Sequence, residues 1–293
     1  MIQIRLIIPM TLFSAILLSC GPSEKSASDS MTETAETTSE PTLELLWETP
    51  DVFITNESVH YEPSNGQLYV ANIEGEPAGK DGVGSISILS KTGEIIDQEW
   101  VTGLNAPKGM AVMDGKLYVT DVDALVEIDL ASGDILNTYE VEGAQFLNDA
   151  DSDGQRVYFS DMRANKILYL ENGDIHTFAE NQPNINGLRV GADKTLYGLD
   201  AEGLKKYNKD GSFSMINSGV TGGDGLIVID SDTFLASRWK GEIYLIQEGK
   251  ETLLLDTSGD ESNTADIGFI PEDNIVVVPT FFKNKVAAYQ LTY

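Results

Sequence analysis

The chain has 293 residues, with 19 Lys and Arg against 47 Asp and Glu, a formal net charge of −28. So large an acidic excess repels polyanions, which excludes nucleic acid and anionic membrane surfaces as partners. The single cysteine leaves no disulfide to form within one chain, and the length allows one large domain or two.

Residues 1–19 carry one charge, Arg5, and then the apolar run "LIIPMTLFSAILLS". That run is too short to span a bilayer and suits the core of a signal peptide. Its end, Leu17-Leu18-Ser19-Cys20-Gly21, resembles a bacterial lipobox, in which small residues let the peptidase cut before a lipid-bearing Cys. An ordinary secretory signal with a chance cysteine is the alternative. Residues 20–42 are rich in Ser, Thr and Glu and lack aromatics, so they cannot bury enough surface to fold. The expected organisation is a signal peptide over 1–19, a tether over 20–42 starting at lipidated Cys20, and a folded domain over 43–293. The expected location is the bacterial cell envelope, on the periplasmic side or the cell surface, with membrane contact through the anchor alone.

From Leu43 onward, alternating apolar runs are separated by Asn-Gly, Asp-Gly and Ser-Gly pairs, and no segment has a helical period. Self-comparison finds a unit: "KGMAVMDGKLYVTDVDALVEIDLASGDIL" aligns with "NGLRVGADKTLYGLDAEGLKKYNKDGSFSMI" and "DGLIVIDSDTFLASRWKGEIYLIQEGKETLL". Units start at Glu57, Lys108, Asn148, Asn186, Asp224 and Asp266, spaced by 51, 40, 38, 38 and 42 residues. A period near forty with short strands is the pattern of propeller blades. The sixth unit ends one strand short, while "LELLWET" precedes the first unit unpaired. The predicted fold is therefore an all-β, six-bladed β-propeller of four-stranded blades, the last completed by the N-terminal strand.

Within the first unit, the insert Ile73 to Ser85 is glycine-rich and reads either as a lid over the channel or as a plain solvent loop. Its Gly79-Lys80 pair is followed by Asp81 rather than Ser or Thr, with no helix after it, which excludes a nucleotide-phosphate loop. Further on, Asp149-Ala-Asp151-Ser-Asp153-Gly154 opens like an EF-hand loop, but the twelfth position is Ser160 rather than Glu and the flanks read as strands. Asp153-Gly154 is then a hairpin turn, and the neighbouring Asn148 is expected to matter more than the acidic triplet.

In each blade the first strand lies innermost, so the six unit-starting residues should face the central channel. None of them is apolar. Three carboxylates and two amides converging there would repel unless a cation sits among them. Calcium fits this oxygen set, since neither His nor Cys is on offer. The alternative is a wet, metal-free channel in which Lys108 neutralises part of the ring. His60 is expected to be a packed strand residue, and His176 lies beside the Asn172-Gly173 turn. The ends of the second strands, Asp121, Asp161, Arg163, Asp200, Arg238, Trp239, Phe281 and Phe282, are expected to border the same face. Arg238 and Trp239 could hold an anionic or ring-shaped ligand; equally, Trp239 and the two phenylalanines could only pack between blades.

At these positions the chain resembles the family of senescence marker protein, gluconolactonase and luciferin-regenerating enzyme, six-bladed propellers with a divalent metal in the channel. The motifs carrying the resemblance are "TNESVHY", "FLND", "INGL" and "GDGL". The resemblance implies Glu57, Asn186 and Asp224 as metal ligands, Asp224 also as general base, and Asn148 beside the metal binding substrate or a water. Asp266 is a second candidate base. Lys108 and Arg238 join Asn148 as candidate substrate-binding residues. The sequence departs from the family where Phe146 replaces its lactone-binding Arg, and "APKGMAV" looks like a strand of the related NHL repeat, more often a binding module. The implied function is a calcium-dependent hydrolase of lactones or related esters acting on a small molecule. The alternatives are a non-catalytic ligand- or protein-binding propeller, and a channel in which calcium only pins the blades.

Overall fold

A computed structural model describes residues 40–293; the expectations for residues 1–39, Cys20 among them, lie outside the described residues. The described residues form six antiparallel four-stranded sheets, five of which run in sequence order from the first strand outward. The first strands of blades one to five are Asn56–Glu62, Pro107–Met113, Leu147–Ser152, Gly187–Val190 and Leu226–Val228. Blade six contains Gly268–Ile270, Ile275–Pro279 and Val286–Thr292, and its outer strand is Thr42–Glu48, paired antiparallel with Val286–Thr292 from Thr42 opposite Thr292 to Glu48 opposite Ala287. The ring closes as the repeat count requires, and the closing strand removes the sheet edge that Val286–Thr292 would otherwise present.

What holds the ring is a set of apolar clusters, each shared by two blades. Tyr69, Ile86 and Ile88 of blade one pack with Met110, Leu117 and Val126 of blade two, and comparable clusters join blades two to three, three to four, four to five and five to six. The seal between blades six and one is built from Val59, Leu68 and Val70 against Ile270, Val277 and Val286. Strand alternation explains this: in a blade sandwiched on both faces, successive residues point to opposite neighbours, so both faces are apolar. Full burial of each such side chain stabilises by about 1.5–3 kcal/mol.

The inner strands approach closely, and glycine permits it. A Cβ on Gly187 would lie 2.3 Å from the Asp224 carbonyl oxygen, and one on Gly225 would lie 2.5 Å from the Ile267 nitrogen. Glycine after Asn186 and after Asp224 therefore lets consecutive blades crowd the axis. Side-chain hydroxyls then hold the backbone where blades begin: Ser160 donates to the Asn186 carbonyl at 2.9 Å, and Ser237 to that of Ala265, just before Asp266, at 2.8 Å. At the closure, Asp266 N donates to Glu57 O at 2.9 Å and Val59 N to Asp266 O at 3.2 Å.

The Asp153-Gly154 pair forms the turn between Leu147–Ser152 and Val157–Asp161, with Gly154 at φ 81°. The insert after Ile73 connects the second and third strands of blade one. Its Ile73 and Pro77 reach the wall of the central cavity, while Lys80 pairs with Asp123 of blade two at 2.6 Å.

Candidate functional site

A cavity of about 360 Å³ opens at the axis, and five of the six blade-starting residues line it: Glu57, Lys108, Asn148, Asn186 and Asp224. The Asn186 amide nitrogen donates to Asp224 Oδ1 at 2.8 Å. That contact turns the Asn186 carbonyl oxygen away from Asp224, and this buried oxygen has no hydrogen-bond partner; neither has the buried Glu57 Oε2. Buried acceptors are seldom left orphaned, because each forfeits its hydration. Two orphaned oxygens, one of a carboxylate and one of an amide, beside the second carboxylate of Asp224 form a hard, acceptor-only donor set, which suits a divalent cation. Among the described residues no three His, Cys, Asp or Glu side chains are grouped to hold a metal ion; the set here is two carboxylates and one amide.

The ammonium of Lys108 donates to the Ala106 carbonyl at 2.9 Å and stands 4.6 Å from the Phe146 ring centroid. Burial lowers its pKa, partly opposed by the charge of Glu57. Burial pushes Glu57 well above the carboxylate range, with the charge of Asp224 adding to the effect. Asp224 is pushed up to about 7 by burial and then by Asp149.

Asp266 is not part of the cavity wall. It is buried, 3.4 Å from Arg189 Nη2, with Asp149 as a further charged neighbour. Burial raises Asp266 to about 7 and holds Asp149 well above its usual value. Asp149, part of the acidic triplet ranked below Asn148 from sequence, is thus a buried member of the axial cluster. It also accepts from Leu188 N at 2.6 Å, while Asp151 accepts from Val190 N at 2.7 Å, so alternate residues of blade three tie down blade four. His60 sits near Arg189, and burial followed by that charge lowers its pKa to about 3.

Arg238 lies outside the cavity wall and pairs with Glu242 at 3.2 Å. Asp121 and Asp161 bind the backbone instead: Asp121 accepts from Asn105 N and Ala106 N, and Asp161 from Gln145 N and Phe146 N. Asp200 holds Glu202 N and the ammonium of Lys205. Trp239 and Phe281 do line the cavity, as do Phe146 and Met162, which the repeat alignment did not single out as lining residues.

The raised carboxyls set the sign of a pH effect. The folded protein keeps protons that the unfolded chain releases near pH 4, so the stability is present below that pH and is lost as pH rises towards about 7. The cation-free protein should therefore melt at a lower temperature at pH 8 than at pH 5.5. A chain this size loses about 2–4 °C per kcal/mol, so scanning calorimetry should show a fall of several degrees; a Tm that rises across this range would contradict the cluster's electrostatics.

No protein-family model matches the chain, and no curated protein matches it in sequence. Solved structures do match in fold. A catalytically inactive His-to-Ala variant of virginiamycin B lyase from Staphylococcus aureus superposes with TM-score 0.61 at 14% identity, over 86% of this chain and 100% of that one. A gluconolactonase candidate gives 0.62 at 16% identity, over 86% and 93%. A chain of a nidogen–laminin complex gives 0.59 at 16% identity, over 68% and 79%. At these identities the likeness establishes the β-propeller fold, shared by a lyase, a lactonase candidate and a matrix complex. Neither His60 nor His176 lines the cavity of this chain.

Proposed function

We propose that the axial cavity is the active site of a divalent-cation-dependent hydrolase of lactones or related esters, with calcium as the ion. The observation that carries this reading is the pair of orphaned buried oxygens, Glu57 Oε2 and Asn186 Oδ1, beside Asp224. These three residues would hold the ion, which when bound supplies Lewis-acid polarisation of a carbonyl and offsets the carboxylate charge. Asp224 accepts the proton of the attacking water as the water oxygen bonds to the carbonyl carbon, and returns it to the leaving oxygen when the acyl C–O bond breaks, giving the hydroxy acid; its Oδ1 is already fixed by Asn186, which orients the carboxylate. Asp266 does not line the cavity and so does not serve that role directly; it balances charge with Arg189. Asn148 and Lys108 supply donor groups on the wall for the substrate. The substrate class comes from the family resemblance and from the lactonase candidate among the fold neighbours.

One observation favours a second reading, a binding propeller without catalysis. Lys108 already places a positive charge beside Glu57 inside the cavity and could balance it without an ion. A panel of aliphatic, aryl and sugar lactones, assayed with calcium and then with a chelator, separates the two. Hydrolysis of at least one lactone that the chelator abolishes is expected; no hydrolysis across the panel would leave the binding reading. The lipobox-like end of the leader would put this activity at the bacterial cell envelope, on a lipid carried by Cys20.

A further inference from the structure

We infer that the cavity selects a substrate whose non-reacting part is an aromatic ring, with Trp239 as the specificity residue. This rests on the hydrolase reading above for the reacting end only. The cavity's polar groups gather where the blades begin, at Glu57, Asn186, Asp224, Asn148 and Lys108, whereas Ile73, Phe146, Met162, Trp239 and Phe281 supply apolar wall. A polyhydroxylated ring would bury hydroxyls against those walls without partners, at a cost for each. A flat apolar ring has no such cost and gains from stacking.

The aromatic wall is built rather than incidental. Trp239, Phe281 and Phe282 form a mutually edge-on triad, with centroids 5.5, 5.6 and 4.9 Å apart. Trp239 nevertheless stays 41% exposed and Phe282 56%. Packing between blades would have buried both; Trp239 and Phe281 instead line the cavity, while Phe282 backs them from a neighbouring surface pocket beside Lys240 and Asn263. Phe281 adopts φ +40°, a left-handed conformation unfavourable for a bulky residue, held by Asn284 N donating to Phe281 O at 3.1 Å and by the bridge to Asn56. In the cavity wall, Lys108 and Arg163 contact the Phe146 ring at 4.6 and 4.3 Å, which fixes its orientation. Bound between such walls, a ring would present its attached carbonyl to Glu57, Asn186 and Asp224.

Two non-hydrolysable probes test ring selection apart from catalysis: 2-tetralone, which copies the aryl lactone dihydrocoumarin, and gluconolactam, which copies a sugar lactone. Binding to the calcium-supplemented protein is followed by tryptophan fluorescence. We expect 2-tetralone to bind at least tenfold more tightly than gluconolactam and to quench emission. Trp239→Ala should abolish the quench and weaken 2-tetralone by about tenfold, the order of one aromatic contact; Trp239→Phe should restore most of the affinity, with an unchanged Tm showing that both variants fold. Equal or tighter gluconolactam binding, or a Trp239→Ala dissociation constant within twofold of the parent, would overturn the inference. If 2-tetralone binds as expected while no lactone of the panel, dihydrocoumarin included, is hydrolysed with calcium, ring recognition stands and the hydrolase reading falls.

Discussion

Replacing Asp224 by Asn is expected to lower kcat by roughly 10²–10⁴-fold, the usual contribution of a positioned general base, while the fold is kept. The substitution preserves shape, and the Asn186 amide can still donate to an Oδ1 at that position. It removes a carboxyl that burial and Asp149 have pushed up to about 7, so without cation the variant should melt at the same temperature as the parent or higher. The two readouts move in opposite directions for a base and together for a packing residue. In the parent, the rate should rise with pH as Asp224 ionises, since only the carboxylate accepts a proton; a bound cation favours that form and moves the acid limb below 7. Unchanged turnover in Asp224→Asn would remove this residue from the chemistry.

The second large effect is expected from Glu57→Gln. In the parent, calcium at about a hundred times its dissociation constant stabilises by about 2.7 kcal/mol, which at about 2–4 °C per kcal/mol raises Tm by roughly 5–11 °C. Glu57→Gln keeps an oxygen at the site but removes the charge, so most of this shift should disappear at the same calcium concentration. Without calcium the variant should be at least as stable as the parent, because Glu57 is a buried carboxyl held well above its usual range beside Asp224. A calcium shift of equal size in parent and variant, followed by differential scanning fluorimetry, would show that any ion binds elsewhere.

Much of this arrangement is legible in the sequence because the repeat carries it. The period places six equivalent residues at the axis, and the missing strand of the last unit points to Thr42–Glu48 as its completion. Which member of the column reaches the cavity is not legible. Asp224 and Asp266 each precede the first strand of their blade by two residues, yet Asp224 lines the cavity and Asp266 does not. Asp149 escaped because the pairing register shifts between Leu147 and Ala150, turning into the axial cluster a residue that simple alternation assigns no role. Asp121, Asp161 and Asp200 recur at the same position in three blades, and the structure gives each the same task of binding nearby loop backbone N–H groups. Arg238 ends the second strand of its blade, as Asp121 and Asp161 do in theirs, but satisfies its charge on Glu242 within its own blade. The blade-starting column is mixed instead, holding Glu57, Lys108, two asparagines and two aspartates, and five of these six line the cavity.

Calcium content after exhaustive dialysis against trace calcium, by elemental analysis of the parent and of the Glu57→Gln/Asp224→Asn double variant, tests the central claim most directly. One calcium per chain in the parent and none in the double variant is the predicted result. An ion-free parent whose melting temperature ignores a chelator, or one calcium retained by the double variant, would contradict it.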